Sequence, residues 1–246
     1  MSQDSLGLIG VGAFGALAAR HLAPHFDLVL HDATADVAAL AKEIGAHQGD
    51  LKTAAACNIV VLAVPIQKIR QALSDIAPLL VPDALVVDVA SVKIKPVAAM
   101  EEILPPTVSI VGTHPLFGPQ SGKNGIAGLN IALCDSRGGR GAEVARFCTE
   151  KLGLRVSQVT PEEHDAEAAY VQGLTHMLAK IVVALDLPPM RFPTRTYDLM
   201  QQMVEMVRHD SDDLFRAIAR ENPFSETATK AFFAAAKKLE EDLSRK

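Results

Sequence analysis

The sequence predicts an α/β fold in which a doubly wound, mainly parallel sheet is followed by an all-α C-terminal domain. Two observations support this prediction. From residue 5 to about residue 158, short apolar runs rich in β-branched residues alternate with alanine-rich stretches of helix length, as in βαβ units. After Val159 the patterned stretches are helical. We therefore expect a first domain at residues 1–158 and a helical second domain at residues 159–246.

Most predicted strands of the first domain are continuous apolar runs, which are typical of strands buried on both faces of a parallel sheet. They are Leu6–Gly10, Asp27–His31, Ile59–Ala63, Ala84–Val89, Val108–Thr113 and Asn130–Leu133. The helix-length segments between them include Phe14–Ala23, Ala35–Ile44, Ile66–Leu79 and Arg140–Leu152.

Four helices are predicted in the second domain. Thr160 and Glu163 have the spacing of a capping box, and Pro161 suits a first helical turn. A helical unit this small, rich in Met, Ala and Phe, is expected to bury its apolar faces against a second copy, which predicts a homodimer. The predicted helices are Glu162–Leu185, Tyr197–Val207, Ser211–Arg220 and Glu226–Leu243, with a proline-rich break at Leu187–Pro193.

The composition restricts the class of protein. Nearly half of the 246 residues are apolar, so the chain can bury a sizeable core, and its net charge of −5 disfavours a nucleic-acid binder. No apolar run has the roughly 18 residues of a membrane span, and the N-terminal MSQDS lacks signal-peptide features. Three cysteines without CxxC spacing predict neither a disulfide framework nor a metal site. We expect a soluble, cytoplasmic protein with a small-molecule substrate, bound to neither nucleic acid nor membrane.

A glycine fingerprint lies between the first predicted strand and the first predicted helix. Gly10 permits the tight turn, Gly12 lets the backbone approach a pyrophosphate, and Gly15 lets the helix pack on the strand. The helix N-terminus then offers free N–H groups to the phosphates. This context predicts a Rossmann-type dinucleotide site, with a purely structural turn as the alternative. The predicted cofactor-binding residues of the fingerprint are Gly10, Val11, Gly12, Ala13, Phe14 and Gly15.

Asp32 ends the second predicted strand, 17 residues after Gly15. A carboxylate there can accept both hydroxyls of the adenosine ribose and would repel a 2′-phosphate. Because no arginine follows closely, the position favours NAD over NADP. The alternative is that Asp32 only caps the next helix.

Polar and turn residues follow two further strands, at the edge where open parallel sheets bind ligands. Val64 and Pro65 follow one strand, and Ser91 and Lys93 follow the next. We expect Val64, Pro65 and Ser91 to contact the cofactor and the Lys93 ammonium to lie beside the nicotinamide and substrate. The alternative role of Ser91 is a helix N-cap.

His114 ends another buried strand and opens the densest polar loop of the chain. Histidine suits proton transfer near neutral pH, so His114 is the candidate base. The following GPQSGK is not a phosphate-binding P-loop, since it has three residues between its glycines and ends in Asn124.

The helical domain adds two groups of candidates. Gln172, His176 and Lys180 recur four residues apart and share one helix face. Arg191 and Arg195 lie near the predicted break, and arginine holds carboxylates bidentately. The alternatives are a histidine that is only packed or exposed, and two solvated arginines.

Four segments in this order resemble the prephenate/arogenate dehydrogenase family of tyrosine biosynthesis. They are the glycine fingerprint, Asp-Val-Ala-Ser-Val-Lys at 88–93, Thr-His-Pro-Leu-Phe-Gly-Pro at 113–119 and Tyr-Val-Gln-Gly-Leu-Thr-His at 170–176. The resemblance implies that His114 is the catalytic base and Ser91 its partner. It also implies substrate contacts from His176 and from an arginine after the break, for which Arg195 is preferred to Arg191.

The family reaction is an NAD-dependent oxidative decarboxylation, in which the resemblance implies that His114 accepts the ring-hydroxyl proton during hydride transfer. Gln120 stands where family members often carry an acidic residue that could pair with the ammonium of arogenate. A neutral side chain favours prephenate, with 4-hydroxyphenylpyruvate as the product rather than tyrosine. Two alternatives stay open: a dehydrogenase of similar build for a 3-hydroxy acid or pyrroline, using Lys180, and a non-catalytic NAD-binding regulator.

Overall fold

The computed structural model describes residues 4–208, 210 and 212–245. The chain folds into two compact units, one ending at Glu162 and one beginning at Glu163. We call them the sheet unit and the helical unit. This division falls in the first turn of the long helix Pro161–Ala184. The boundary that we predicted, between residues 158 and 159, lies a few residues earlier, before that helix begins.

The sheet unit is built on eight strands in the order β3-β2-β1-β4-β5-β6-β7-β8, and among them only β6 and β7 pair antiparallel. This arrangement confirms the predicted doubly wound, mainly parallel sheet. The strands are β1 Ser5–Ile9, β2 Asp27–His31, β3 His47–Gln48, β4 Ile59–Leu62, β5 Leu85–Asp88, β6 Ser109–Pro115, β7 Asn130–Arg137 and β8 Arg155–Gln158.

Two strands lie outside the predicted set for physical reasons. β3 has only two residues, both exposed, so no apolar pattern marks it. β8 is an edge strand whose exposed Arg-Val-Ser-Gln sequence carries a single apolar residue. The central strands β4 and β5 are buried at all four positions, as their continuous apolar runs predict.

Helices cover both faces of the sheet. Two of them, α3 and α5, were not in the predicted set, since α3 has five residues and α5 carries a proline in its first turn. The helices of this unit are α1 Ala13–Leu22, α2 Ala38–Ile44, α3 Leu51–Ala55, α4 Ile66–Ile76, α5 Ile94–Ile103 and α6 Gly141–Glu150, with a 3-10 turn at Ala77–Leu79.

The helical unit confirms the predicted all-α C-terminal region. Its helices are α7 Pro161–Ala184, α8 Arg195–Val207, α9 Asp212–Arg216 and α10 Ser225–Ser244, with a π-helical turn at Ala217–Glu221. The proline-rich break separates α7 from α8 as predicted. The predicted helix start at Ser211 lies outside the described residues.

Three further observations concern chemistry. In residues 4–208, 210 and 212–245 the structure contains no helix long and apolar enough to cross a membrane. Over the same residues we find no cluster of three or more His, Cys, Asp or Glu side chains suited to a metal. Cys57, Cys134 and Cys148 are buried and form no disulfide among the described residues, and burial raises the pKa of Cys148 to about 11, which makes it a poor nucleophile.

Candidate active site

The glycine fingerprint forms a tight turn between β1 and α1. Gly10 has a φ of +96°, which favours glycine, and its N–H donates to the carbonyl of His31 at 2.9 Å. A Cβ on Gly15 would lie 2.1 Å from the Gly10 carbonyl oxygen, so only glycine lets α1 pack this closely. A Cβ on Gly12 would meet nothing within 4 Å. Gly12 therefore borders open space at the N-terminus of a ten-residue helix, a cradle that fits a pyrophosphate.

Asp32 is tied to this loop. Its Oδ2 accepts the Val11 N–H at 2.7 Å, and its Oδ1 accepts from Thr34 N, Thr34 Oγ1 and Ala35 N. Partial burial acts to raise the pKa of Asp32, but the hydrogen bonds from Ala35, Val11 and Thr34 outweigh it and lower the pKa to about 2. The carboxylate is thus charged at neutral pH. Oδ2, which has a single partner, retains the capacity to accept a hydroxyl.

Candidate residues meet at the carboxyl ends of three neighbouring parallel strands. Val64 and Pro65 follow β4, Ser91 follows β5, and His114 is the penultimate residue of β6. Pro65 is the N-cap of α4 and is exposed, whereas Ser91 is half-buried. The helix-cap alternative for Ser91 is wrong, because the N-cap of α5 is Lys93.

His114 is held inside the sheet rather than on a loop. It is 3% exposed and lies opposite Ala132 of the antiparallel strand β7. The preceding residue, Thr113, donates its hydroxyl to the backbone oxygen of Asp88 at 2.7 Å. The imidazole is therefore carried by a backbone that is bonded on both sides.

Lys93 does not occupy the predicted position beside a ligand. It is completely buried, and its Nζ donates to Asp88 Oδ2 at 2.5 Å and to the Thr113 carbonyl at 2.6 Å. Lys93 is the N-cap of α5, and its ammonium is bonded inside the protein to Asp88 and to the Thr113 carbonyl instead of lying open to a ligand.

The loop after His114 folds into a short turn. The Gly118 N–H donates to Ser121 Oγ at 2.9 Å, and Gln120 is exposed between them. Phe117 packs against Phe14 of the glycine fingerprint, with ring centroids 6.2 Å apart. The loop is thus linked to the predicted cofactor site by an aromatic contact.

In the helical unit, α7 holds His176 between two acceptors. One ring nitrogen lies 2.9 Å from the Gln172 carbonyl and the other lies 3.0 Å from Asp210 Oδ2. His176 is 6% exposed, and the side-chain oxygen of Gln172 is buried with no hydrogen-bond partner among the described residues. Lys180, the third member of the predicted face, lies over the Phe215 ring at 5.3 Å from its centroid.

The two candidate arginines are exposed. Arg191 lies in the break and stacks over Phe192, 5.5 Å from the ring centroid. Arg195 is the first residue of α8, whose N-cap Thr194 accepts the Tyr197 N–H at 3.2 Å. Both guanidinium groups can therefore reach an anion in solution.

Sequence reasoning missed three residues that anchor candidates: Asp88, Thr113 and Asp210. Asp88 and Thr113 stand in the motifs that carry Ser91 and His114, so their positions could have drawn attention to them. Asp210 lies 34 residues from His176, and no sequence spacing connects the two.

These features define the class of protein: a Rossmann-type dinucleotide-binding unit followed by a helical unit. A family model described as "Prephenate dehydrogenase, nucleotide-binding domain" matches residues 15–138, half of the chain. The chain belongs to the prephenate/arogenate dehydrogenase family.

Curated relatives agree with this membership. The chain is 29% identical over 244 residues to arogenate dehydrogenase 2, chloroplastic, of Arabidopsis thaliana, a match that covers 90% of this chain and 65% of the relative. It is 34% identical over 122 residues to the T-protein of Enterobacter agglomerans, covering 48% of this chain and 31% of the relative. The chain thus spans less than two thirds of the length of these relatives.

Solved structures share the fold. The prephenate dehydrogenase of Aquifex aeolicus, solved with hydroxyphenyl propionate and NAD+, superposes with a TM-score of 0.79 at 20% identity, covering 100% of this chain and 92% of the other. The arogenate dehydrogenase of Synechocystis superposes with a TM-score of 0.70 at 20% identity, covering 98% and 92%.

Proposed function

We propose that this protein catalyses the NAD-dependent oxidative decarboxylation of prephenate to 4-hydroxyphenylpyruvate, with arogenate as the alternative substrate and tyrosine as its product. The observation that carries the proposal is the position of a buried histidine and a hydroxyl side chain near the carboxyl ends of two adjacent parallel strands. His114 is the penultimate residue of β6 and Ser91 follows β5, in the unit that carries the glycine fingerprint. Family membership supplies the reaction class.

The cofactor side of the proposal rests on the sheet unit. We assign the pyrophosphate to the fingerprint, where Gly12 leaves open space before α1, and the ribose hydroxyls to Asp32 Oδ2. The charged Asp32 would repel a 2′-phosphate, which favours NAD over NADP. Val64, Pro65 and Ser91 would border the nicotinamide, whose ring accepts a hydride when NAD is bound.

His114 would accept the proton of the ring hydroxyl in this reaction. Loss of carbon dioxide makes the ring aromatic, so the chain needs to supply orientation and a modest base, an effect of about 10²–10⁴-fold. Ser91 would orient the imidazole or share the substrate hydroxyl. The restricted position of His114 inside β6 supports this role, because a base on a rigid strand loses little freedom when substrate binds.

In the helical unit, we assign substrate contacts to His176, Gln172 and Arg195, with Arg191 as the weaker candidate. His176 lies between two oxygen atoms, the Gln172 carbonyl and Asp210 Oδ2, and these contacts fix the orientation of its ring for a ligand. The buried, unpartnered oxygen of Gln172 is an acceptor available to a ligand donor.

We also propose that the protein is a homodimer formed through the helical unit. Large apolar side chains are exposed along α7 and α10, among them Leu178, Ile181, Phe233 and Leu239. Exposed apolar surface on this scale is typical of a protein interface.

The test is nicotinamide reduction by the purified protein, followed by absorbance with each combination of NAD or NADP and prephenate or arogenate. We expect turnover with prephenate and NAD. Turnover with arogenate alone would contradict the argument from Gln120 but keep the reaction class. NAD binding without turnover of either substrate would contradict the proposed reaction and favour a regulatory NAD-binding protein.

A further inference from the structure

The sheet unit contains a buried ion pair that contacts the backbone next to each of the two candidate catalytic residues. Lys93 Nζ lies 2.5 Å from Asp88 Oδ2, and both side chains are completely buried. Burial of two charges has a desolvation cost that their attraction only partly offsets, so such a pair adds little net stability. Nothing in the proposed reaction uses these charges directly, which raises the question of what they do.

Both members of the pair also bind backbone next to a candidate residue. Lys93 Nζ donates to the Thr113 carbonyl at 2.6 Å, and that carbonyl belongs to the peptide bond that ends at the His114 nitrogen. Asp88 Oδ2 accepts the N–H of Ala90, the residue before Ser91, at 2.9 Å. The ion pair therefore connects the backbone that carries His114 to the backbone that carries Ser91.

The pair stands where the ladder between β5 and β6 ends. The last register pair of these parallel strands is Asp88 with Gly112. One residue further, Thr113 donates its hydroxyl to the Asp88 backbone oxygen at 2.7 Å, and its own carbonyl accepts from Lys93. Side chains thus continue the connection between the two segments beyond the last backbone pair.

The Asp88 carboxylate makes its hydrogen bonds on one side and is closely packed on the other. Asp88 Oδ1 has no hydrogen-bond partner among the described residues, so all side-chain bonds of Asp88 run through Oδ2. A Cβ on Gly112 would lie 3.3 Å from this Oδ1 and 2.7 Å from the side chain of Val97. A side chain at position 112 would therefore require Val97 to move and would crowd the Asp88 carboxylate.

We propose that Lys93 and Asp88 are positioning residues that fix the separation and orientation of Ser91 and His114. This inference rests on the proposed function of those two residues. In this proposal the Lys93 ammonium does not contact the substrate, and it affects the reaction only by holding His114 and Ser91 in place.

The test compares Lys93→Met with the double variant Lys93→Met/Asp88→Asn. Lys93→Met leaves a buried carboxylate without its partner, so we expect a lowered Tm. The double variant removes both charges and should recover most of that Tm. We expect kcat to stay about 10- to 100-fold below wild type in both variants, with KM for prephenate and Kd for NAD close to wild type, because only the orientation of the base is lost. The matched control is Lys95→Met, at an exposed lysine in the first turn of α5, two residues from Lys93.

The kcat of the double variant decides whether the pair has a positioning role. If kcat recovers together with Tm, the pair is only structural and the inference is wrong. If the double variant does not fold, Lys93→Met alone decides, because it removes the donor to the Thr113 carbonyl, and a wild-type kcat in that variant would likewise overturn the inference.

A measurement without substrate separates this inference from the proposed function. The imidazole proton NMR signals of His114, identified by their loss in His114→Asn, should shift in the double variant and not in Lys95→Met. Unshifted signals would contradict the positioning role. A wild-type protein that turns over neither prephenate nor arogenate would contradict the proposed function, while the NMR comparison would still decide the positioning of His114.

Discussion

The sheet unit and the helical unit differ in how completely each buries its own apolar surface. Of the sixteen large apolar residues that are exposed in the described part of the chain, only Leu116 belongs to the sheet unit. The other fifteen belong to the helical unit, which is about half as long. The sheet unit completes its own core, whereas the helical unit leaves apolar side chains for another surface.

The candidate residues of the two units follow the same division. His114 and Asp88 are buried and bonded to strand backbone, while Arg191 and Arg195 are exposed on and beside the break. Side chains held on buried strands have little conformational freedom to lose on binding, whereas exposed arginine side chains lose rotamer freedom when they bind an anion. We therefore expect substitutions in the sheet unit to change kcat or cofactor affinity, and substitutions in the helical unit to change KM or assembly.

The largest expected effect is that of His114→Asn. Asparagine retains hydrogen bonding but cannot accept the proton, so we expect kcat to fall by about 10²–10⁴-fold. NAD affinity, measured by calorimetry, should be unchanged, because the fingerprint and Asp32 are intact. His47→Asn, at an exposed histidine of β3, is the control. A wild-type kcat in His114→Asn would contradict the assignment of the base.

The glycine fingerprint offers a paired test within the sheet unit. In Gly12→Ala the new methyl meets no protein atom within 4 Å, so Tm should stay near wild type while NAD affinity falls by about tenfold or more, a change of about 1.4 kcal/mol. In Gly15→Ala the methyl would lie 2.1 Å from a backbone oxygen, and overpacking of this kind costs about 1–3 kcal/mol of stability. Thermal unfolding and NAD titration of both variants separate the two roles. Unchanged NAD affinity in Gly12→Ala would exclude the pyrophosphate from this loop.

The two units also differ in what the sequence alone could predict. The parallel pairing of the central strands is predicted by their apolar runs, whereas their order is seen only in the structure, and β2 has the predicted bounds Asp27–His31. β8 was not predicted, because an edge strand with a single apolar residue shows no alternation or run of apolar residues. In the helical unit, the sequence predicts the break and the long helices. The apolar periodicity of a helix does not say which surface covers its exposed apolar face, so that partner could not be predicted.

For the candidate site, sequence reasoning predicted which loops carry polar residues but not which side chains face inward. From the sequence we predicted that Lys93 contacts a ligand, because a lysine that follows a strand end usually has a solvated ammonium group. In the structure Lys93 is completely buried and bonded to the Asp88 carboxylate and the Thr113 carbonyl, contacts that the sequence alone does not reveal. The partnership of His176 with Asp210 depends in the same way on the packing of α7 against a distant segment.

Within the helical unit, Arg195→Ala should mainly raise KM for prephenate. Loss of a charge-assisted hydrogen bond is worth about 1.5–3 kcal/mol, or about 10- to 150-fold in KM, with kcat little changed. Arg191→Ala should have a smaller effect, since Arg191 stacks on Phe192. Steady-state kinetics at saturating NAD measure both. A larger effect from Arg191→Ala would reverse the assignment of the carboxylate ligand.

The smallest expected effect on turnover, and the sharpest test of the comparison, comes from the exposed apolar residues of the helical unit. Leu178→Asp and Leu239→Asp each place a charge on an exposed position, where the fold itself should tolerate it. If these faces form the interface between two copies, the mass measured by light scattering at micromolar concentration should fall from two chains to one, because a buried unpaired charge opposes association. Leu116→Asp, at the exposed leucine of the sheet unit, should leave the mass unchanged. An unchanged mass in both helical variants would show that the apolar faces of α7 and α10 do not hold the copies together, and that the difference between the units has another cause.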